Sequence, residues 1–93
     1  MLLINDSKIL SNKILEFKKL GRKINFIPTM GNLHLGHLEL VRMGKKNDGI
    51  NLVSIFINPL QFNDKIDFRN YPRTFERDKK LLFDENVDLL FSP

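Results

Sequence analysis

The first part of the chain carries a helical pattern of apolar residues. Asp6 or Ser7 can cap a helix here, and Gly21 can end it, because glycine readily adopts the left-handed conformation that follows many helices. Spacings of four and three residues place the apolar side chains on one helix face. These side chains are Leu10, Ile14 and Phe17. The pattern predicts a first helix over residues 7–20.

Three short runs of residues predict strands. Residues 24–27 are mainly β-branched and aromatic, and Pro28 ends the run. Residues 50–57 are almost continuously apolar, and residues 87–91 form a third, largely apolar run. Continuous apolar runs are typical of parallel strands that helices cover on both faces. We therefore predict three buried, parallel strands.

Two further helices are predicted between these strands. One extends from about residue 36 to residue 46, before an Asn-Asp-Gly stop, and the other covers residues 74–85, with Thr74 as its cap and Asn86 as its stop. Between them, residues 60–72 form a long polar loop, and long loops often carry function. The order α-β-α-β-α-β predicts an α/β fold. We expect a three-layer, Rossmann-like parallel sheet that binds ligands beyond the carboxyl ends of its strands.

The composition limits the kind of protein that this chain can be. Its 93 residues, 42% hydrophobic and 28% charged, suffice for one small core. The chain has no cysteine, which excludes disulfides, thiolate metal sites and cysteine nucleophiles. No apolar run approaches the ~20 residues that span a bilayer, and no secretory signal is recognisable. We therefore expect a cytoplasmic protein with no membrane partner.

The basic charge raises the question of nucleic-acid binding. The net charge is +4 and the isoelectric point is about 9.6. However, the lysine pairs at positions 18–19 and 45–46 fall at predicted helix ends, where cations favour the negative pole of the helix dipole. Solvated helix ends explain these residues, so we expect no nucleic-acid partner.

Both histidines of the chain lie in one segment, just after the first predicted strand. His34 and His37 are three residues apart around Gly36, at the predicted start of the second helix. A helix start offers free backbone N–H groups and a positive dipole end, and both favour a bound phosphate. Two imidazoles beside it point to nucleotidyl transfer, in which hydrogen-bond donors stabilise the charge that builds on the phosphoryl oxygens.

Other phosphate and metal motifs fit these residues less well. The spacing of Gly31 and Gly36 imitates a P-loop, but the lysine and the Ser or Thr that should follow are absent. No G-x-G-x-x-G dinucleotide motif occurs. A zinc site on His34, His37 and Glu39 lacks the H-E-x-x-H spacing and any cysteine, so no protein-bound metal is predicted. On spacing alone, two surface histidines at a helix cap remain the simplest alternative.

Three segments make the sequence resemble a known enzyme family. Residues 26–37, FIPTMGNLHLGH, closely resemble the ATP-binding signature of the pantoate-β-alanine ligases, or pantothenate synthetases, of the HxGH nucleotidyltransferase superfamily. Residues 53–62, VSIFINPLQF, look like that family's second-strand segment. Residues 70–74, NYPRT, together with Asp78, look like its following loop and helix start. The likeness covers essentially the whole sequence.

The resemblance implies a two-step reaction that consumes ATP. In this family pantoate attacks the α-phosphorus of ATP to give pantoyl adenylate and pyrophosphate, and β-alanine then displaces AMP to form pantothenate. Mg²⁺ would accompany the ATP. The partners would be these small molecules, and the resemblance implies a homodimer for the family's complete chain.

The same resemblance assigns roles to residues by position. His37 would be the catalytic donor towards the phosphates, with His34 as its partner, and Gln61 would bind pantoate close to the β-alanine site. Phe62 and Tyr71, in contrast, are expected to pack within the loop. The other expected pantoate and β-alanine contacts are Pro28, Thr29 and Asn58. The residues expected to line ATP are Met30, Gly31, Asn32, Leu33, His34, Leu35, Gly36 and His37.

The family's chains are roughly three times as long as this sequence. We therefore expect residues 1–93 to be the N-terminal half of a Rossmann-like nucleotide-binding domain, with the family's C-terminal remainder absent. Such an incomplete site should bind ATP weakly and show little or no turnover. Two alternatives stay open: a non-catalytic nucleotide-binding or dimerising module, and another HxGH nucleotidyltransferase, against which residues 58–62 argue.

Overall fold

Four parallel strands form a sheet between two layers of helices in the computed structural model, which describes residues 1–93. The order of the strands across the sheet is β1-β4-β3-β2, and every neighbouring pair is parallel. The strands are β1 (Leu2–Ile4), β2 (Ile24–Thr29), β3 (Ile50–Ile55) and β4 (Leu89–Phe91). The predicted α/β class with a parallel, Rossmann-like sheet is confirmed.

The first strand corrects the predicted number of strands from three to four. Strand β1 pairs with β4 in register, with Leu2 opposite Leu89, and its last residue, Ile4, is buried. Three residues are too few to show a period of their own, so the sequence pattern gives no signal for this strand. It forms because it supplies hydrogen-bond partners to the otherwise open edge of β4.

The helices follow the predicted order, with one addition. They are α1 (Ser7–Lys19), α2 (Leu35–Lys46), α3 (Lys65–Asn70) and α4 (Phe75–Asp84). Asp6 caps α1, because its carboxylate accepts the N–H of Lys8 at 2.7 Å, and Gly21 follows the helix with a φ of +73°. The lysine pairs occupy the last turns of α1 and α2, as predicted.

Strand β2 differs from its prediction in two ways. Pro28 does not end the strand, which continues to Thr29. Because β2 lies at the edge of the sheet, a proline that cannot donate a hydrogen bond is tolerated there. The strand is also only half-buried, since Phe26 and Pro28 face solvent.

The predicted loop at residues 60–72 is also partly helical. A 3-10 turn at Pro59–Gln61 is followed by α3, whose N-cap is Asp64, with its carboxylate 2.8 Å from the N–H of Ile66. Both elements are shorter than two turns, so no apolar period reveals them. Two strand limits move as well: β3 ends at Ile55 rather than at residue 57, and β4 begins at Leu89 rather than at residue 87.

Two apolar clusters place helices on both faces of the sheet. On one face, Leu38 and Val41 of α2 and Leu82 of α4 pack against residues of β3 and β4. On the other face, the three apolar residues predicted to line α1 cover Ile50 and Leu52 of β3. The result is the predicted three-layer arrangement. None of the helices has both the length and the apolar character needed to cross a membrane.

Candidate functional site

The two histidines together cap the start of helix α2. His34 is the N-cap residue, and its Nδ1 accepts the N–H of Gly36 at 3.0 Å. In return, the N–H of His34 donates to Nδ1 of His37 at 3.1 Å. The ring centroids are 4.1 Å apart and the rings are tilted by 46°. The reciprocal bonds have the form of a capping box built from imidazoles.

These hydrogen bonds determine which ring nitrogen carries the proton. A backbone N–H can only donate, so the Nδ1 atoms of both rings act as acceptors. In the neutral imidazoles the proton therefore lies on Nε2, which becomes a hydrogen-bond donor. The segment thus presents two N–H donors from side chains next to the start of a helix.

The pKa of His37 lies below the ordinary histidine value of 6.5. Partial burial of the ring is the main cause, and the neighbouring His34 adds to the effect, while the negative charge of Asp78 opposes it. The neutral form with Nε2–H is therefore favoured near pH 7. An anion bound beside the ring would raise this pKa.

The start of α2 offers fewer free backbone N–H groups than the sequence suggested. The N–H of Gly36 donates to the His34 ring, and those of His37 and Leu38 donate to the carbonyl oxygen of His34 at 3.1 and 3.3 Å. The expectation that these groups await a phosphate is wrong for these three residues. The donors that the site offers are instead the imidazole Nε2–H groups.

Gly36 makes room for the His34 ring. A Cβ atom at this position would lie 3.1 Å from Nδ1 of His34 and 2.8 Å from its Cε1, and the second distance is too short for real atoms, so the ring would have to move. Glycine at this position of the motif therefore allows His34 to fold back over the first turn of α2.

His37 faces an open cavity of about 410 Å³ at the carboxyl ends of β2 and β3. Asn58 accepts the N–H of Leu60 at 3.0 Å and so caps the short turn that carries Gln61 into the cavity wall. The predicted site residues that line this cavity are Pro28, Thr29, Met30, His37, Asn58 and Gln61. The structure therefore brings His37, expected to donate to the phosphates, and Gln61, expected to bind pantoate, to the same cavity.

Six residues expected to line ATP do not border this cavity, and two of them, His34 and Gly36, form the cap of α2 described above. Gly31 borders a neighbouring cavity of about 290 Å³, and Asn32 is exposed with a φ of +51°. Leu35, the first residue of α2, is 64% exposed. The side chain of Leu33 lies in the apolar core, and its N–H and C=O both bind residues of α4. We therefore interpret Leu33 as an anchor of the segment.

Two residues near the site have roles that the sequence analysis did not foresee. Tyr71 packs edge-on against Phe62, as predicted, but its hydroxyl also donates to the carbonyl oxygen of Gly31 at 3.3 Å, and its ring lines the cavity. Asp78 is fully buried and binds the segment before His34. The sequence does carry a sign of this role. Asp78 lies on the same helix face as the apolar residues Leu81 and Leu82, and a carboxylate on a buried face needs hydrogen-bond partners.

No group of three or more His, Asp or Glu side chains lies close enough together in the structure to hold a metal ion. The polar lining of the cavity around His37 consists of hydroxyl, amide and imidazole groups. Such groups suit the recognition of an oxyanion and a hydroxy acid, because they offer both donors and acceptors.

Known proteins with similar sequences point to one family. The family described as pantoate-beta-alanine ligase matches residues 3–93. A pantothenate synthetase from Sulfurihydrogenibium sp. is 58% identical over 80 residues, which are 86% of this chain and 29% of that protein. The pantothenate synthetase of Buchnera aphidicola subsp. Schizaphis graminum is 50% identical over 93 residues, which are 100% of this chain and 33% of that protein.

Solved structures agree with the sequence matches. A pantoate-beta-alanine ligase from Francisella tularensis, described as complexed with beta-gamma ATP and beta-alanine, superposes with a TM-score of 0.82 at 35% identity. A pantothenate synthetase from Thermus thermophilus superposes with a TM-score of 0.80 at 38% identity. Both matches cover 100% of this chain, but only 35% and 32% of those chains. This chain, which spans about a third of the length of these relatives, belongs to the pantoate-β-alanine ligase family.

Proposed function

We propose that residues 1–93 form the N-terminal half of the nucleotide-binding domain of a pantoate-β-alanine ligase. The substrates are ATP, pantoate and β-alanine, and the reaction takes place in the cytoplasm, where ATP is available. One observation carries this proposal: His37 of the HxGH motif and Gln61 of the second motif border the same cavity beyond the carboxyl ends of two parallel strands. Membership of the family supports it.

The proposed reaction has two steps. A carboxylate oxygen of pantoate attacks the α-phosphorus of ATP, a new P–O bond forms, and the bond to the bridging oxygen breaks to release pyrophosphate. The amine of β-alanine then attacks the carbonyl carbon of pantoyl adenylate, and AMP leaves as the amide of pantothenate forms. The amine loses a proton in this step.

The two histidines stabilise the phosphates in the first step. Negative charge builds on the phosphoryl oxygens and on the leaving pyrophosphate, and the Nε2–H groups of His34 and His37 donate hydrogen bonds to them. Because the pKa of His37 is held below its ordinary value, its ring is neutral near pH 7 and donates through Nε2–H. Mg²⁺ enters with the ATP phosphates as part of the substrate complex.

Residues of the cavity around His37 hold pantoate. The amide of Gln61 can donate to the carboxylate and accept from a hydroxyl group, which suits a hydroxy acid. Asn58, Pro28 and Thr29 form the adjacent walls, and Met30 connects this cavity to the one beside Gly31. The backbone of the segment before α2 runs alongside the bound nucleotide.

A chimera tests the proposed function. Residues 1–93 replace the matching third of the Buchnera pantothenate synthetase, and pantoate-dependent release of pyrophosphate is measured with the unmodified Buchnera protein as reference. We expect turnover from the chimera and little or none from the 93-residue chain alone, because a half-site does not exclude water. A folded chimera that binds none of the three substrates would contradict the proposal.

Gln61→Ala in the same chimera tests the second motif. We expect the KM for pantoate to rise by roughly tenfold, with a much smaller change in the KM for ATP, because the amide contacts pantoate alone. Leu60→Ala is a matched control, since Leu60 lies in the same turn and is 90% exposed. An equal rise in both constants would show that Gln61 supports the fold instead.

A further inference from the structure

The carboxylate of Asp78 is buried and carries four hydrogen bonds. Its Oδ2 accepts the N–H of Asn32 and the hydroxyl of Thr74, both at 2.9 Å. Its Oδ1 accepts the N–H of Leu33 at 3.0 Å and an N–H of Arg77 at 3.2 Å. Asp78 is 0% exposed, so all of its binding capacity is used inside the chain. Two of the four donors belong to the backbone just before His34.

This backbone segment adopts an uncommon conformation. Gly31 has a φ of +77° and Asn32 a φ of +51°, so two successive residues lie in the left-handed region. An L-residue such as Asn32 is disfavoured there unless its surroundings hold it. The Asp78 carboxylate supplies that hold, because it binds the N–H groups of Asn32 and Leu33 together.

Arg77 completes the connection from α4 to the segment. While one of its nitrogens contacts Asp78, another donates to the carbonyl oxygen of Leu33 at 3.0 Å. The side chain of Leu33 is inserted into the apolar core. The residue that precedes His34 is therefore fixed through its N–H, its C=O and its side chain.

We propose that Asp78 is a positioning residue that sets the orientation of His34 and His37 through residues 31–33. Asp78 borders the neighbouring cavity of about 290 Å³, but its carboxylate oxygens are already occupied by four donors of the chain itself. It acts by fixing the left-handed turn from which His34 continues into the cap of α2. This inference rests on the proposed function for what the histidines bind, while the arrangement of the segment can be measured without any ligand.

The charges around His37 provide a second readout for the role of Asp78, in addition to the arrangement of the backbone. The titratable groups around the ring are His34 in the same segment, Asp78 from α4 with Arg77 beside it, and Tyr71 across the cavity. The charge of Asp78 raises the pKa of His37 against the effect of burial. Removing that charge should therefore move the titration midpoint of His37 to lower pH.

The test is an NMR titration of the 93-residue chain and its Asp78→Asn variant. Asp84→Asn is the matched control, since Asp84 lies on the same helix and is exposed. In Asp78→Asn we expect a lower midpoint for His37 and amide exchange at Asn32 and Leu33 that is faster on the order of tenfold. The control should match the wild type. Unchanged exchange and an unchanged midpoint in a folded Asp78→Asn chain would overturn the inference.

A second pair of variants decides the matter if Asp78→Asn does not fold. Thr74→Val removes one donor to the carboxylate, whereas Thr74→Ser keeps the hydroxyl. We expect faster amide exchange at Asn32 in the valine variant and wild-type exchange in the serine variant, and equal exchange in both would overturn the inference.

Binding of Mg²⁺-ATP is measured in the same samples. Loss of binding in Asp78→Asn alone supports the inference. Absence of binding in the wild type would count against the proposed function, while the ligand-free measurements still decide the role of Asp78.

Discussion

The two ends of the sheet use polar groups in opposite ways. At the amino ends of the strands, Asn25 and Asn51 form a closed network with the chain around them. At the carboxyl ends, His37, Asn58 and Gln61 border an open cavity. The comparison separates polar groups that stabilise the fold from polar groups that can still bind a ligand.

The network at the amino ends has all its hydrogen-bond partners within the chain. The Asn51 amide accepts from Asn25 at 3.2 Å and donates to the carbonyl oxygen of Val41 at 3.2 Å, and its backbone N–H donates to Asp88 at 2.8 Å. Asn25 also donates to the carbonyl oxygen of Gly44 at 2.9 Å. Asn51 is 1% exposed, so nothing from outside can replace these partners. The network ties α2 to β2, to β3 and to Asp88, the residue before β4.

The carboxyl ends keep part of their hydrogen-bonding capacity for a ligand. His34 and His37 use their Nδ1 atoms in the cap of α2, and their Nε2 atoms take no part in it. A buried polar group without a partner costs free energy. A polar group that borders an open cavity costs little before a ligand binds, because water can reach it. The difference between the two ends therefore predicts that substitutions affect stability at one end and binding at the other.

The largest expected effect is on turnover at the carboxyl end. In the chimera with the Buchnera protein, His37→Ala should lower turnover on the order of 10²-fold, because it removes a donor to the charge that develops on the phosphates. Urea unfolding should change little, since His37 is only partly buried. Leu40→Ala, at an exposed position of the same helix, is the control. Unchanged turnover in a folded His37→Ala chimera would remove the catalytic role.

At the amino end the effect should fall on stability. Asn51→Ala should lower the free energy of unfolding by about 2 kcal/mol, because the Asn25 amide and the Val41 carbonyl group lose a buried partner. Urea unfolding of the 93-residue chain measures this change. Affinity for Mg²⁺-ATP, measured where the variant is fully folded, should stay at its wild-type value. A selective loss of affinity at unchanged stability would break the distinction between the two ends.

A smaller effect should follow from Gly36→Ala. The new Cβ would displace the His34 ring, so we expect affinity for Mg²⁺-ATP to weaken by roughly tenfold. Stability should not fall in parallel, since alanine favours a helix more than glycine does. Leu40→Ala, at an exposed position of α2, controls for a substitution in this helix. Wild-type affinity in Gly36→Ala would mean that the position of His34 does not matter for binding.

The smallest effect concerns pH. Because the pKa of His37 is lower in the folded chain than its ordinary value of 6.5, the unfolded chain binds this proton more readily. The stabilising contribution is complete above pH 6.5 and is lost as the pH falls from there to the folded-state pKa. Urea unfolding between about pH 7.5 and about pH 5.5 should show this loss, and His37→Ala should reduce it. An identical pH dependence in the variant would contradict the assignment.

The sequence predicts those parts of the molecule that repeat over several turns or carry a motif. The apolar spacing of Leu10, Ile14 and Phe17 locates α1, and the continuous apolar run locates β3. Both histidines and Gln61 are found from the two motifs, and the structure brings His37 and Gln61 to one cavity. Their contacts with substrates stay a prediction that the proposed experiments test.

The remaining features depend on contacts between distant residues. Strand β1 forms only because β4 offers an edge, and three residues carry no period. Asp78 binds Asn32, which is 46 positions away in the sequence, so no local pattern reveals the bond. The N–H groups of His34 and Gly36 are occupied because of the rotamers of two imidazoles, which the sequence does not determine.

The central claim is that the HxGH segment forms a phosphate site that this chain already carries. The most direct test is an NMR titration of the folded 93-residue chain with Mg²⁺-ATP, compared with the His34→Ala/His37→Ala double variant. The account predicts weak, saturable shifts of the amide signals of Gly36 and His37 that the double variant loses. Equal shifts in both proteins, or none in the wild type, would contradict it.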